Sequence, residues 1–189
     1  MQLGLSTQGT NLVIGNTNTD LYPGVYNGGI TVNGSATVTL HANADGTPGI
    51  YYLQGGGFAL SSTAKVQMAS TETASVMIYN DWQSSSDAIS VSVLAGLQLT
   101  PPTSGIYKGI SYFQDRTSSA TALVAGNGLY NVTGTFYVAG GLTDLQGNGD
   151  ASIASQVVTL LMKSGGNGVT NINWAAGVTA PTRIISLVE

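Results

Sequence analysis

A triplet of glycine, an aliphatic residue and tyrosine returns along the chain at nearly constant spacing, and that recurrence constrains the fold more than any other feature. It occurs as Gly24-Val25-Tyr26, Gly49-Ile50-Tyr51, Gly105-Ile106-Tyr107 and Gly128-Leu129-Tyr130, the first two 25 residues apart and the last two 23. A second mark, Gly-Asn-Gly, falls at Gly126-Asn127-Gly128, Gly147-Asn148-Gly149 and Gly166-Asn167-Gly168, in steps of 21 and 19. Self-similarity at such periods is the signature of repeat architectures, in which each unit buries its apolar side only against its neighbours.

Between the marks lie short alternating runs: Ile30-Thr31-Val32, Ala36-Thr37-Val38-Thr39-Leu40, Ser90-Val91-Ser92-Val93 and Thr133-Gly134-Thr135-Phe136-Tyr137-Val138. Alternation over four to six residues rich in Val, Thr, Ile and Tyr reads as strand, and Asn-Gly pairs, which tolerate positive φ, read as corners. The best helical candidate, Ala151 to Lys163, is interrupted by Val158 and Thr159, so Gln156 to Met162 is read as a strand. The expectation is an all-β, single-domain parallel β-solenoid, a right-handed β-helix. Residues 1–20 would form an amino-terminal strand and cap, 21–174 the stacked turns, and 175–189 a carboxy-terminal strand and cap. A β-sandwich would need seven or more hairpin-linked strands and gives no reason for the triplet to recur. At ~4.8 Å per turn, about eight turns would make a rod of roughly 40 Å. Val25, Ile50, Ile106 and Leu129 should then occupy equivalent positions. Gly24, Tyr26, Gly49, Tyr51, Gly105, Tyr107 and the corner residues Asn127, Asn148 and Asn167 are assigned structural roles. Asn80 to Asp87 and Pro101-Pro102-Thr103-Ser104 break the rhythm and read as excursion loops.

Composition narrows function. Charged residues are 7% of the 189, Gly numbers 26, and the net charge of −4 offers no basic stripe for nucleic acid. With no Cys there are no disulfides or thiolate metal sites. No apolar run reaches the ~20 residues of a membrane span. Met1-Gln2-Leu3-Gly4-Leu5-Ser6 lacks the pattern of an export signal, so an exported form would be a mature or excised part of a longer precursor.

The series Tyr22-Pro23-Gly24-Val25-Tyr26, Pro48-Gly49-Ile50-Tyr51, Gly105-Ile106-Tyr107, Phe113-Gln114-Asp115-Arg116, the Gly-Asn-Gly corners and Gly134-Thr135-Phe136-Tyr137 resembles the repeat region of bacterial surface proteins related to the TadE/TadG-like tight-adherence pilus-assembly family. The likeness spans Leu21 to Trp174. It implies an extracytoplasmic structural or adhesive region and no catalytic residues; the membrane-anchored amino-terminal segment of that family has no counterpart in this sequence.

Candidate sites are few. Asp115-Arg116 could serve a hydrolase as acid or base and substrate-orienting cation, but a corner ion pair or a cap on stacked backbone amides is preferred, because glycoside hydrolysis usually needs two carboxylates flanking one bond. Asp144-Leu145-Gln146-Gly147-Asn148-Gly149-Asp150 could give calcium several oxygen ligands, yet calcium-binding turns repeat and this one does not. His41, the only histidine, reads as a polar residue leaving a strand after Leu40. Trp82, with Asp81 beside it, is the candidate anchor for a protein or glycan partner, or else folds back over the core. Thr-rich stripes lack the regularity an ice-binding face needs. No cofactor, metal or catalytic residue is assigned. The function expected is a non-enzymatic extracellular or cell-surface module of adhesive or structural type, with homotypic end-to-end association or a surface glycan or protein as partner; the rival is a polysaccharide-binding or polysaccharide-processing β-helix. The run Arg183-Ile184-Ile185-Ser186-Leu187-Val188-Glu189 and Asn11-Leu12-Val13-Ile14-Gly15 are the candidate end caps.

Overall fold

Val, Ile, Thr and Tyr alternating with polar residues favour extended backbone, and the strands found follow those runs. The computed structural model describes residues 5–70, 75–92, 94–125, 130–147 and 151–181. Among them are seventeen strands. In chain order these are β1 (Thr7–Ile14), β2 (Thr19–Leu21), β3 (Gly24–Val32), β4 (Thr37–Leu40), β5 (Gly49–Gln54), β6 (Phe58–Leu60), β7 (Lys65–Met68), β8 (Val76–Asp81) and β9 (Ile89–Val91). There follow β10 (Gly96–Leu99), β11 (Ile110–Gln114), β12 (Ala122–Ala125), β13 (Tyr130–Val132), β14 (Thr135–Gln146), β15 (Ala151–Ala154), β16 (Gln156–Gly165) and β17 (Thr170–Ile172). Every strand pairing among them is parallel.

The expected β-solenoid, with turns spaced evenly round one axis, is not what these pairings build. The strands divide between two sheets. Seven lie in the order β17-β15-β13-β10-β7-β4-β2. The other ten run β1-β3-β5-β8-β11-β14-β12-β9-β6, with β16 on β14, and the pairing of β3 with β6 closes a ring. Two long, bent strands make the closure possible. The first half of β3 pairs with β5 and its second half with β6; β14 likewise takes β11 on one arm and β12 on the other.

The triplet does not mark equivalent positions either. Gly24 pairs with Tyr51 and Val25 with Tyr52, so the first two triplets lie two residues out of register. Ile106 sits in a turn with 78% of its surface exposed. Tyr130 belongs to the seven-stranded sheet, and Leu129, Asn127 and Asn148 lie outside the described residues. Positions that do stack are Tyr51, Ile78, Tyr112, Phe136 and Val157, separated by 27, 34, 24 and 21 residues. Burial of alternate side chains sets register, since a slip of one residue would turn the apolar set outward. Loop length is nearly free by comparison, because doubling a loop costs only ~0.6 kcal/mol.

Glycines make one corner. Gly28 and Gly29 bend β3 with φ of 75° and 76°, and Gly55, Gly56 and Gly57 lie against them with φ of 75°, 71° and 65°. A Cβ on Gly56 would stand 1.9 Å from the Gly28 carbonyl oxygen, and one on Gly29 would stand 2.3 Å from that of Gly57. Only backbone without a side chain stacks this closely.

Inside, Tyr26, Tyr51, Tyr112, Tyr130 and Phe58 are the largest fully buried side chains. Buried polar groups close the loops over this core. Asn80 and Gln114 are cross-strand partners. The Asn80 amide donates to the Asp87 carbonyl at 2.7 Å, and the Gln114 amide donates to the Ala120 carbonyl at 2.8 Å and to Ser118 Oγ at 3.1 Å. Pairing of this kind is what lets amides leave water without a net penalty. The first excursion begins two residues later than expected, because Asn80 and Asp81 close β8, and covers residues 82–88; the second, expected at 101–104, extends over 101–109.

Candidate functional site

Two adjacent residues, Tyr51 and Tyr52, point to opposite sides of β5, because successive side chains of a strand alternate. Tyr51 goes to the core. Its hydroxyl donates to the carbonyls of Leu21 at 2.7 Å or His41 at 2.9 Å, and accepts from the His41 N–H at 2.8 Å. Tyr52 begins an outward row: its successive cross-strand partners are Tyr79, Phe113 and Tyr137. The rings stack with centroids 5.1, 5.0 and 4.7 Å apart and interplanar angles of 19°, 26° and 4°. Tyr107, carried in by the 101–109 excursion, meets Tyr79 edge-on at 6.3 Å. At the far end the Arg116 guanidinium lies over the Tyr137 ring, 5.5 Å from its centroid. Each such contact contributes ~0.5–1.5 kcal/mol beyond simple burial.

Two residues further along the same strands comes an acidic pair. Gln54 pairs with Asp81, and the Asp115 N–H donates to the Asn80 carbonyl at 3.0 Å, which seats Asp115 beside Asp81. The two are 34 positions apart in the sequence, a separation that hid them from any spacing argument. Each carboxylate is held by its own turn. Asp115 Oδ1 accepts from the Thr117 N–H at 2.8 Å and from Thr117 Oγ1 at 2.6 Å. Asp81 Oδ2 accepts from Gln83 Nε2 at 3.3 Å. Burial first, and then the hydrogen bond to Asp81, push the Tyr52 hydroxyl well above the ordinary tyrosine range. Burial, followed by the charge of Asp115, raises the Tyr79 hydroxyl as well. The Tyr52 and Tyr79 hydroxyls are therefore neutral throughout the physiological range.

Beside this row lies a cleft of about 280 Å³, lined by Asn43, Thr47, Pro48, Ile50, Pro102 and Tyr107 among others. Round on the seven-stranded sheet, a second outward row runs Asp20, Thr39, Gln67, Gln98, Asn131, Ser152 and Asn171 on successive strands. It carries hydroxyls and amides with little charge.

The expected site residues fall as follows. Asp115 and Arg116 do not form an ion pair; Asp115 caps a turn and Arg116 covers Tyr137. Trp82 is half-buried, and its indole N–H is out of contact with solvent and without an acceptor, so the ring lies back against the protein. Asp81, its neighbour, joins the acidic pair instead. His41 stacks on Tyr22 at 4.7 Å and sets Nε2 3.2 Å from Asp20 Oδ1. Gly49 admits the His41 carbonyl, which would stand 2.7 Å from a Cβ there, and Gly24 likewise admits the Ser6 carbonyl at 2.6 Å. Tyr26 donates to the Tyr22 carbonyl at 2.7 Å, and burial pushes its hydroxyl up to about 12. Gly105 turns in open space, and Asn167 lies in an exposed bend after β16. Of the calcium candidates, Asp144 is taken by Lys163 Nζ at 3.2 Å, while Asn148, Gly149 and Asp150 lie outside the described residues. Among the described residues no three His, Asp or Glu side chains gather as a metal site. No helix among them is long and apolar enough to cross a membrane.

Compared with family models, with curated proteins and with solved structures, the chain finds no match.

Proposed function

We propose that this protein is an extracytoplasmic structural or adhesive module of a bacterial surface, of the pilus-related kind that its motif order resembles between Leu21 and Trp174. The observation that carries this reading is where the carboxylates are spent. Asp45, Asp87 and Asp115 each accept hydrogen bonds from the backbone of their own loop, at Thr47, at Gln83 and Ser84, and at Thr117. A carboxylate occupied this way fixes a turn rather than moving protons. The aromatic row supports the same reading, because its ring faces are turned on one another. Sugar rings stack on aromatic faces, and here those faces are taken by neighbouring rings. The row of amides and hydroxyls on the other sheet, with Asp20 its one charge, supports an adhesive surface that needs little charge.

A polysaccharide-binding or polysaccharide-processing module is the second reading, favoured by the adjacency of Asp81 and Asp115 and by the cleft beside Tyr107. One variant separates the two. Asp115→Asn weakens acceptance from Thr117 and is expected to lower unfolding stability by about 1 kcal/mol, with no change in any turnover across a screen of acidic and neutral polysaccharides. Turnover by the parent protein that Asp115→Asn abolishes would replace the first reading with the second.

A further inference from the structure

Two end strands present open edges in a matched way among the described residues, and we propose that they bind each other: β16 of one copy takes β1 of a second copy as its next parallel strand, with residues 159–164 in register with residues 9–14. This deepens the structural reading above and rests on it. β1 pairs only with β3, and β16 only with β14. Among the described residues each therefore presents a full edge of backbone N–H and C=O groups with no strand beside it, the arrangement that templates pairing with another chain.

The carboxyl-terminal end is also apolar. Leu160, Leu161, Met162, Ile172 and Trp174 expose 64, 63, 47, 45 and 71% of their surface there. Scattered apolar residues need no explanation, but a contiguous group at a strand edge marks an interaction surface. Part of it is a slice of core that no described strand covers. Phe136, Val138, Thr143 and Leu145 of β14 are buried, and their partners on β16 are Val157, Thr159, Met162 and Ser164, so these four continue the inward side into a layer with no further strand over it among the described residues. At the other end Gly9, Leu12 and Ile14 stand in the same relation to the buried Tyr26, Ile30 and Val32.

Corner geometry identifies the occupant as a second copy. The inward positions on either side of the corner are four residues apart in β3, Tyr26 and Ile30, and five apart in β14, Val138 and Thr143. In both end strands they are three apart: Gly9 and Leu12 in β1, Thr159 and Met162 in β16. Each end strand consequently needs a register shift against its own neighbour, between Thr10 and Leu12 in one case and between Val138 and Leu142 in the other. Laid on each other from residue 9 onward they need none at the corner; the second shift of β1, between Thr7 and Gly9, falls before that span. Thr159 comes over Gly9, Met162 over Leu12 and Ser164 over Ile14, at a constant offset of 150. The second sheet agrees within one residue, because Ile172 of β17, partner of the buried Ala154, comes over Leu21 of β2 at an offset of 151. Such a head-to-tail contact is heterologous and does not close, so it builds a filament.

The chain has no cysteine, so introduced pairs report the register directly. Thr10→Cys with Leu160→Cys places two exposed thiols opposite each other across the junction; within one molecule they are six strands apart, ~29 Å, far beyond disulfide reach. Mild oxidation is expected to give a ladder of covalent multimers. The displaced pair Thr10→Cys with Met162→Cys should give about tenfold less cross-linked product, because its Cα atoms fall outside bonding range. Sedimentation of the unmodified protein should show growth with concentration, and Met162→Lys, which buries an unpaired ammonium at the junction, should suppress it. Equal yields from both cysteine pairs would overturn the register. A monomer at every concentration, with no cross-linking, would overturn the association itself and mean that the chain's own residues 182–189 or another partner take that edge. None of these outcomes involves turnover on polysaccharides, which alone decides the reading beneath.

Discussion

Gly56→Ala is expected to lower unfolding stability by about 3–5 kcal/mol, near the top of the range for a single substitution. Two costs add. At φ +71° an alanine pays ~1–2 kcal/mol for left-handed backbone. The new Cβ would also stand 1.9 Å from the Gly28 carbonyl oxygen and 2.2 Å from its carbon, both backbone atoms that no rotamer change can move aside. Relief requires the Gly28-Gly29 bend to shift, and that bend is where β3 passes from β5 to β6 and the ten-stranded sheet closes. For a domain of this size 1 kcal/mol corresponds to ~2–4 °C, so the melt should fall by roughly 10 °C. Gly46→Ala is the control. Its φ is +78° with nothing within 4 Å of the added Cβ, so only the backbone cost remains, about 1 kcal/mol. Similar losses at both positions would show that the stacked corner contributes nothing beyond the conformation of each glycine.

Tyr112→Ala should cost as much, about 3–5 kcal/mol, for a different reason. The ring is fully buried, stacks on Phe136 at 4.9 Å, and joins the column of Tyr51, Ile78 and Phe136 through the core. Alanine leaves a cavity bounded by strands on both sides, which cannot collapse without breaking two ladders. Tyr112→Phe isolates the polar part. The hydroxyl accepts from the Ile89 N–H at 3.1 Å and donates to Gln114 Oε1 at 3.2 Å. Without it a buried donor loses its partner, at ~1–3 kcal/mol. Denaturant melts of both variants measure the division; a Phe variant as stable as the parent would mean that water replaces the hydroxyl.

Much of this fold is written in local pattern. Ile30-Thr31-Val32 and Thr37 to Leu40 are strands because apolar and polar residues alternate, and Gln156 to Met162, whose β-branched Val157, Val158 and Thr159 favour extended backbone without alternating, is strand through to Gly165. The Ser-rich stretch after Asp81 leaves the sheet as its composition requires, with Asp87 accepting from the N–H groups of Gln83 and Ser84. Parallel pairing runs through both sheets, although the triplet that suggested it does not mark equivalent positions.

Register was not legible, and the reason is physical. What stacks is a side of the strand, not a motif. Tyr51 and Tyr52 are chemically alike and adjacent, yet one enters the core column and the other the outward row, so matching Gly49-Ile50-Tyr51 to Gly24-Val25-Tyr26 by identity misplaces it by two. Asp81 and Asp115 are neighbours although 34 positions, with both the 82–88 and 101–109 excursions among them, separate them in sequence, and a loop's length leaves no trace in the strands it joins. The Gly55-Gly56-Gly57 run, by contrast, was a usable signal: three consecutive glycines beside a Gly28-Gly29 pair announce backbone stacked on backbone. The two-sheet division hides in the bends of β3 and β14, where one strand serves two partners and no composition change marks the boundary.

The central claim is the parallel register that assembles the aromatic row and seats Asp81 beside Asp115. Cross-strand nuclear Overhauser contacts in isotope-labelled protein test it most directly. The account expects contacts linking Tyr52 to Tyr79, Tyr79 to Phe113 and Phe113 to Tyr137, with the backbone pattern of parallel strands throughout. Close Hα–Hα contacts between sequence-adjacent strands, the mark of antiparallel hairpins, or ring contacts joining Tyr26 to Tyr52 in place of these pairs, would contradict it.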